Sequence, residues 1–532
     1  MKKLLGMIAT VGLVALAACS MKVASSSRRA NSDPLILRFH FVGSEKLWAA
    51  PESAKFKELV TVNSSAALRD EIINRFALLP SFWLKDSLPT NTGTQTNLFR
   101  PIFEDLLTHE CYFESGVAPE VVIAAQVPEA RARLWQTNLW QALVSWKFGT
   151  PAAAKFDGFS GFELKRTTLP AVVRCIRAGD WMVVSAGSGK SARESEMLVN
   201  IRSSGRPAKL TGAWLDGDAN LARLDGWLPA LSNFENLPVA HFSMSNRADF
   251  VRTYATLDFP KPHGWKPEPW HIPTNAIHEP LVDFTAVRGV APIFDSFKSI
   301  RDLGYKPTPN QFVGWGYGNV PFQYNYAAPS QDVRDQLKRI ETNLQNLITG
   351  PGHLGLDGFV TWGTNSQDIV WRGLLGAVPH LGAFRDAGRE YLALSAFPPL
   401  RGSNPPPQLY EPFKGRDELV AFDFELTALR VPHWRQFYQI LEVANRRPLG
   451  TTNAPFQKWL LEATRQFGEA VTEVRVTSPA QMTFVRKSSI GLTAVELVTL
   501  GRWLESSEFP AYGVFQPVPA RRPGGTAKRP QP

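Results

Sequence analysis

The sequence predicts an α+β protein made of two similar repeats, each a mainly antiparallel sheet with helices on one face. Three observations predict this fold. The order strand, helix, hairpin, strand-helix, hairpin occurs twice along the chain. Short adjacent segments such as residues 239–244 alternate apolar and polar side chains, which is typical of antiparallel strands. Three residue types recur at one offset (423 − 216 = 207): Asp216, Arg223 and Trp227, then Asp423, Arg430 and Trp434.

The size of the chain also favours two bodies. It has 532 residues, of which 44% are hydrophobic, with 16 Trp and 33 Phe. Because a single hydrophobic core stops growing near ~250–300 residues, a chain of this length predicts more than one core. We expect a first repeat over residues 34–300, with an N-terminal extension, and a second repeat over 301–510.

The elements of the first repeat follow from periodicity. A strand over residues 121–127 precedes a helix over 129–147 that contains Thr137-Asn138-Leu139. Paired strands follow at 171–176 and 181–185, and a closing pair at 239–245 and 250–258.

The second repeat has the same predicted order. A strand over 322–328 precedes a helix over 331–348 that contains Thr342-Asn343-Leu344. Paired strands follow at 358–362 and 369–371, and a closing pair at 471–477 and 482–486. Further helices are predicted at 456–467 and 492–505. The shared order is the main argument for internal duplication, since a few matching residues alone could arise by chance.

The N-terminus reads as an export signal. Lys2 and Lys3 form a positive segment before an apolar run over residues 4–18. That run is too short for a stable membrane span, which needs ~20 apolar residues, and it fits the hydrophobic region of a signal peptide. Residues 1–19 are therefore the predicted signal. Residues 20–33 are a predicted flexible tether.

The signal ends in Leu16-Ala17-Ala18-Cys19, which resembles the lipobox of bacterial lipoproteins. The resemblance implies that Cys19 carries a diacylglyceryl group and that a second acyl chain modifies the new N-terminus. Two chains give stable anchoring. Ser20 at the next position implies the outer membrane, on its periplasmic face. The alternative is ordinary cleavage after Ala17, which would release a soluble periplasmic or secreted protein.

The charge distribution argues against nucleic-acid binding. The formal net charge is +10, and removal of Lys2 and Lys3 leaves 10 − 2 = +8. Seven of these charges lie in the tether and in a basic, Pro/Gly-rich tail over residues 511–532, so residues 30–520 carry 8 − 7 = +1. A nucleic-acid-binding domain needs clustered Lys and Arg on its folded surface. We expect contacts with the membrane through the anchor, and with an envelope protein or polymer.

Two cysteines remain beside Cys19, and they exclude a disulfide framework and a cysteine-based zinc site. Cys111 and Cys175 both lie in strand-like segments, where buried unreactive thiols are the common outcome. A single bridge between them stays open, because the exported compartment is oxidising.

No complete catalytic motif is present. Residues 185–191 resemble part of a phosphate-binding loop, but Val184 stands where the first glycine is needed. The pairs His109-Glu110 and His278-Glu279 lack the second histidine of a zinc-protease helix, and residues 158–162 depart from the G-x-S-x-G pattern by one position. We therefore predict no cofactor, no metal site and no assigned catalytic residue.

The densest polar segment lies at the junction of the repeats, in a predicted loop over residues 259–292. It contains three imidazoles and two Trp side chains among several prolines. One interpretation is a binding site, in which imidazoles and carboxylates hold a divalent ion and Trp rings stack on a sugar. The other, which the non-motif spacing favours, is a proline-pinned crossover. The candidate binding residues are His263, Trp265, Trp270, His271, His278 and Glu279.

The body also resembles exported bacterial families of unknown function, with a Trp-containing strand at residues 179–184 before a helix. This resemblance implies no active site. The sequence thus predicts a lipid-anchored envelope protein with a non-enzymatic binding or scaffold role. Two alternatives remain: a hydrolase of envelope polymer with an unrecognised pair of carboxylates, and a carrier of an apolar ligand.

Overall fold

The fold was determined from a computed structural model, which describes most of the chain between residues 35 and 510. The described residues are 35–83, 95–116, 120–165, 172–187, 189, 191–224, 234–296, 298–318, 323–349, 358–363, 368–373, 378–395, 397, 402–444, 453–507 and 509–510. The predicted signal, tether and basic tail lie outside these residues, as does Trp227.

The first half of the described chain contains ten strands and seven helices. The strands are β1 Leu35–Phe41, β2 Cys111–Gly116, β3 Glu120–Gln126, β4 Ala152–Phe156, β5 Phe159–Lys165, β6 Val172–Ala178, β7 Trp181–Gly187, β8 Leu215–Asn220, β9 Val239–Asn246 and β10 Val251–Asp258. The helices are α1 Ser44–Ala49, α2 Ala54–Val60, α3 Ser65–Ala77, α4 Leu79–Trp83, α5 Thr96–Thr108, α6 Glu129–Ser145 and α7 Ala192–Ser204.

The second half contains ten more strands and six helices. The strands are β11 Leu281–Arg288, β12 Gln311–Tyr317, β13 Tyr324–Pro329, β14 Phe359–Trp362, β15 Asp368–Arg372, β16 His380–Asp386, β17 Arg389–Ser395, β18 Leu419–Leu426, β19 Glu469–Ser478 and β20 Gln481–Ser488. The helices are α8 Ala291–Ser296, α9 Lys298–Leu303, α10 Val333–Thr349, α11 Thr427–Ala444, α12 Pro455–Ala463 and α13 Ala494–Glu505. A 3-10 segment spans Pro407–Phe413.

All twenty strands belong to one antiparallel sheet, which confirms the mixed α+β class. The pairings give the spatial order β4-β5-β6-β7-β3-β2-β1-β8-β9-β10 for the first half. They continue as β20-β19-β18-β11-β12-β13-β17-β16-β15-β14 for the second. The halves meet where β10 pairs with β20. Read outward from that pair, both halves connect their strands in the same sequence.

The strand order corrects two sequence expectations. The hairpin β6–β7 was matched to β14–β15, but by strand order its counterpart is β16–β17, and β14–β15 corresponds to β4–β5. The loop predicted over residues 259–292 ends earlier, because β11 begins at Leu281 and runs between β18 and β12. Residues 281–288 have the period-2 pattern of a strand, but the proline-rich residues before them favoured the prediction of a loop.

The sheet has two faces, which we call lower and upper. The lower face carries Phe39 and Phe41 of β1, and the upper face carries Arg38 and His40. The largest core lies on the lower face and joins both halves: α3, α5 and α6 pack there with α11, α12 and α13. Its buried members include Trp135, Trp459 and Leu497.

Helices are not confined to one face, which corrects the prediction. Helix α7 packs on the upper face of the first half, with Leu198 buried against Val122 and Val183. On the second half, residues 270–277 and the 3-10 segment cover the upper face around Phe284. Strands β3 and β7 are apolar on both sides, and strands of that kind need a cover on each face.

Candidate functional site

The upper face of the six central strands, β1, β8, β9, β10, β20 and β19, forms a polar surface without a helix above it among the described elements. Two ladders of directly opposed residues cross these strands. The first is Arg38, Asp218, His241, Thr256, Thr483 and Arg475, and the second is His40, Asp216, Ser243, Tyr254, Val485 and Glu473. We call these twelve residues the polar floor. Eleven of the twelve are polar, and the floor is roughly 25 Å wide across six strands.

A buried ion-pair network closes one end of the polar floor. His40 lies between two carboxylates, with Nδ1 3.1 Å from Asp216 Oδ2 and Nε2 3.2 Å from Glu110 Oε1. Burial alone would lower the pKa of His40, but the hydrogen bonds with Asp216 and Glu110 outweigh it and raise that pKa. The imidazole also stacks on Tyr112, with ring centroids 4.4 Å apart. These contacts favour the imidazolium form of His40.

Glu110 is the centre of this network. Its side chain is 1% exposed, and it accepts hydrogen bonds from Lys46 Nζ at 2.5 Å and from Arg206 Nη2 at 2.5 and 2.6 Å. Burial opposes ionisation, but the donors His40, Lys46 and Arg206 hold the pKa of Glu110 down at about 2. Glu110 is therefore ionised at neutral pH, and its contacts fix the end of β1 against β2.

A second network is accessible to solvent. Arg38 donates from Nε to Asp218 Oδ2 at 2.7 Å, and His241 Nδ1 is bonded to the other oxygen of the same carboxylate. His241 Nε2 lies 3.2 Å from Asp258 Oδ2. The side chains of Arg38 and His241 are 50% and 48% exposed, so a ligand on the floor would contact both.

The geometry suits binding better than acid–base catalysis. Both ring nitrogens of His40 and of His241 already face carboxylates, so neither imidazole has a free nitrogen for a substrate proton. The carboxylates of Asp216 and Asp218 are likewise engaged. The side chains of Arg38 and Tyr254 are exposed at this surface, where an extended polar ligand would contact them.

The predicted junction residues contact several different elements. His263 Nε2 lies 3.0 Å from the carbonyl of Ser478, in the turn between β19 and β20. Trp265 lies over Gly289, whose positive φ of 76° favours glycine. Because glycine has no side chain, it leaves room for the ring. Trp270 covers the guanidinium of Arg288, 4.6 Å from the ring centre.

The remaining junction residues are also held by backbone contacts. The amide of His271 donates to Gln311 Oε1 at 2.9 Å, and burial lowers the pKa of His271. His278 and Glu279 lie beside residues 402–403, where Glu279 N donates to Ser403 O at 2.8 Å. No group of three potential metal ligands occurs among the described residues. The segment connects β10 to β11, and its residues 270–277 pack on the upper face.

A second polar cluster lies under α11 on the lower face of the second half. Arg430 Nε lies 2.6 Å from Asp283 Oδ2, and the guanidinium stacks over Tyr324 and Trp434. Glu425 accepts hydrogen bonds from Ala494 N at 2.7 Å and Thr427 Oγ1 at 2.9 Å. Gly316 makes room for Asp283, since a Cβ there would lie 2.8 Å from its carboxylate.

Burial governs the titration of these acids. It raises the pKa of Asp283 to about 6, although Arg430 opposes the rise, and it raises the pKa of Glu425 to about 7. Asp283 and Glu425 are covered, at 2% and 5% exposed. The cluster stabilises the packing of α11 and α13 on the sheet.

The recurring Asp216 and Asp423 do not occupy equivalent positions. One ladder of directly opposed residues begins at Asp216 and ends at Phe422, so both residues lie on the upper face. The residues between them are Ser243, Tyr254, Val485 and Glu473. Asp423 is the next residue after Phe422 and lies on the lower face. Consecutive strand residues point to opposite faces, so the match at an offset of 207 compares different sites.

The remaining sequence motifs are structural in the described residues. Ser191 caps α7 and accepts from Glu194 N at 2.9 Å, so the glycine-rich segment before it is a strand-to-helix connection. Cys111 and Cys175 are free and buried. Burial raises the pKa of the Cys111 thiol to about 12 and also raises that of Cys175, which keeps both unreactive.

Sequence reasoning missed the polar floor. The alternation Arg38-Phe39-His40-Phe41 was a local signal for a strand with one polar face. Its partners β8 and β9 lie more than 170 residues away, so the polar ladder could not be assembled without the pairing. Comparison with protein families, with curated proteins and with solved structures finds no match.

Proposed function

We propose that this chain is an exported lipoprotein of the outer membrane, held on the periplasmic face by lipid on Cys19, whose body binds an envelope polymer along the polar floor. The anchor rests on the lipobox resemblance of residues 16–19 and on the signal before it. The described helices include none long and apolar enough to cross a bilayer.

One observation carries the binding role: two rows of polar residues cross six strands on a face that the described helices leave open. Arg38, His241 and Tyr254 project from this face with at least a third of their surface exposed. Both charge signs occur in the two rows, with neutral residues on the central strands, and this mixture suits a polymer that itself carries amines and carboxylates. Peptidoglycan, a polysaccharide with charged peptide side chains, has this chemistry.

The same observation disfavours the two alternative functions. A polymer hydrolase needs two carboxyl groups free to exchange protons with substrate, whereas the floor carboxylates are engaged by Arg38, His40 and His241. A carrier of apolar ligands needs an apolar surface, whereas eleven of the twelve floor residues are polar.

We also infer that the two halves arose by internal duplication. The mirrored strand order supports this, as do α6 and α10, which follow the third strand of their half and contain 17 residues each. The triplets Thr137-Asn138-Leu139 and Thr342-Asn343-Leu344 lie in these two helices. Superposition of β1–β3 and α6 on β11–β13 and α10 tests the inference, and diverging Cα paths would contradict it.

Co-sedimentation with purified peptidoglycan sacculi tests the binding role. We expect the wild-type protein to sediment with sacculi, and Arg38→Ala combined with Tyr254→Ala to lose most of that binding. Arg133→Ala is the matched control, because Arg133 is 77% exposed on α6, which packs on the lower face. Equal binding by all three proteins, or no binding by the wild type, would refute the proposal.

Intact-mass spectrometry tests the anchor separately. We expect the membrane-extracted protein to begin at Cys19 and to carry acyl mass that disappears in Cys19→Ser. A soluble chain beginning at Ala18 would contradict the anchor and leave the binding role to be judged by the sedimentation result.

A further inference from the structure

Helix α11 exposes an unusual amount of apolar surface on its outer side. Leu429, Phe437, Ile440 and Val443 are 49%, 36%, 47% and 55% exposed. With 100° per residue, Leu429, Ile440 and Val443 fall within an arc of about 60°, which also contains Gln436, and Phe437 lies about 60° beyond its edge. We call Leu429, Phe437, Ile440 and Val443 the apolar stripe. Isolated exposed apolar residues are ordinary, but a continuous stripe marks an interaction site.

The stripe is uncharged throughout its described part. The other exposed residues of α11 are Pro432, Gln436 and Gln439. Of the charged side chains of the helix, Arg430 pairs with Asp283, Glu442 pairs with Arg502 of α13, and Arg435 is half-buried. In sequence, two cations follow the helix at Arg446 and Arg447.

The inner side of α11 fixes the stripe in place. Val431 and Tyr438 are buried in the lower core, and Tyr438 Oη lies 2.6 Å from Thr499 Oγ1. The stripe therefore faces away from the sheet on the lower side, opposite to the polar floor. A surface bound through the stripe would leave the floor accessible.

We propose that the apolar stripe docks on a lipid surface, the bilayer in which the proposed Cys19 anchor is embedded. This inference rests on the proposed function for the anchor. It adds that the body lies with its lower face on the membrane and its upper face toward the cell wall. An interfacial helix with apolar and aromatic residues on one side binds bilayers in this way.

The area of the stripe favours a bilayer over a second copy of the chain. The exposed fractions correspond to roughly 300–400 Å² of apolar surface, so a symmetric pair would bury roughly 700 Å², below the ~1,000 Å² of a stable interface. A bilayer needs no shape complementarity. The 16 residues from Cys19 to Leu35 span at most roughly 55 Å, which keeps the body near the bilayer.

A polarity-sensitive dye on the stripe tests the proposal. Full-length protein with Ile440→Cys is labelled, purified and mixed with vesicles of phosphatidylethanolamine and phosphatidylglycerol. Val199→Cys is the control, since Val199 is 52% exposed on α7 above the upper face. Both variants retain the buried Cys111 and Cys175, and the wild-type protein labelled in the same way corrects for dye attached to Cys19.

We expect the dye at position 440 to shift to shorter wavelength and to become several-fold less accessible to a soluble quencher when vesicles are added. The dye at position 199 should not change. An unchanged signal at 440 on vesicle-bound protein, equal shifts at both positions, or a shift that depends on protein concentration without vesicles would each overturn the proposal.

Intact-mass spectrometry of the same samples shows whether Cys19 carries acyl chains. A protein without acyl chains that still shows the shift at position 440 on excess vesicles supports the stripe and contradicts the anchor. An acylated protein without the shift contradicts the stripe and leaves the anchor intact. The two proposals can therefore fail independently.

Discussion

Replacement of Glu110 by Gln should destabilise the fold by about 3 kcal/mol at neutral pH. Gln keeps the size of the side chain but removes the charge that faces His40, Lys46 and Arg206. The pKa of Glu110 falls from 4.5 to about 2 in the folded protein. This lowering of the pKa corresponds to about 3 kcal/mol of stability at neutral pH.

The pH dependence of this effect has a defined sign. Because the pKa of Glu110 is lowered on folding, its contribution is fully present above pH 4.5 and is lost as the pH falls toward about 2. The difference in free energy of unfolding between wild type and Glu110→Gln should therefore be largest at pH 7 and should decrease below pH 4.5.

Urea unfolding at pH 7 and at pH 3, followed by tryptophan fluorescence, measures this difference. Glu390→Gln is the control, since Glu390 is 42% exposed and its pair with Arg385 is a surface one. A Glu110→Gln variant within about 0.5 kcal/mol of wild type at pH 7, or a loss that is equal at both pH values, would refute the reasoning about this network.

Three further predictions concern other parts of the fold. Folding raises the pKa of Glu425 from 4.5 to about 7. The contribution of Glu425 to the free energy of unfolding is therefore present below pH 4.5 and lost as the pH rises through 7. Glu425→Gln should flatten the pH dependence of the urea midpoint between pH 5 and 8. Ser191→Ala should lower the free energy of unfolding by about 1 kcal/mol in urea, because it removes the N-cap of α7. Ser203→Ala, on the same helix, should leave that free energy close to the wild-type value. Trp459→Ala should cost about 3–5 kcal/mol, because the ring is fully buried where α12 joins the lower core, and an unchanged thermal midpoint would contradict that packing.

Local features of this fold were predictable from the sequence. The hairpins β9–β10 and β19–β20 and the helices α6, α10 and α13 lie within a few residues of their predicted positions, because each depends on periodicity within a short segment. The mixed α+β class followed from these elements. Helix α7 on the upper face was missed, because a strand that is apolar on both sides needs a second cover that alternation alone does not predict.

Long-range features were not predictable. The register that places Asp216 and Asp423 on opposite faces depends on pairings through β9, β10, β20 and β19, and a shift of one residue reverses the face of a side chain. The polar floor needs the same pairings. The histidines at the junction were conspicuous in the sequence, but the histidines of the floor, His40 and His241, lie singly in separate strands.

Hydroxyl-radical footprinting with soluble peptidoglycan fragments tests the central claim most directly. Tyr254 on the polar floor and Phe437 on the apolar stripe are both 36% exposed, so they form a matched pair on opposite faces of the protein. The account predicts that fragments protect Tyr254 from oxidation and leave Phe437 unchanged. Protection of Phe437 alone, equal protection of both residues, or protection of neither would contradict binding on the upper face.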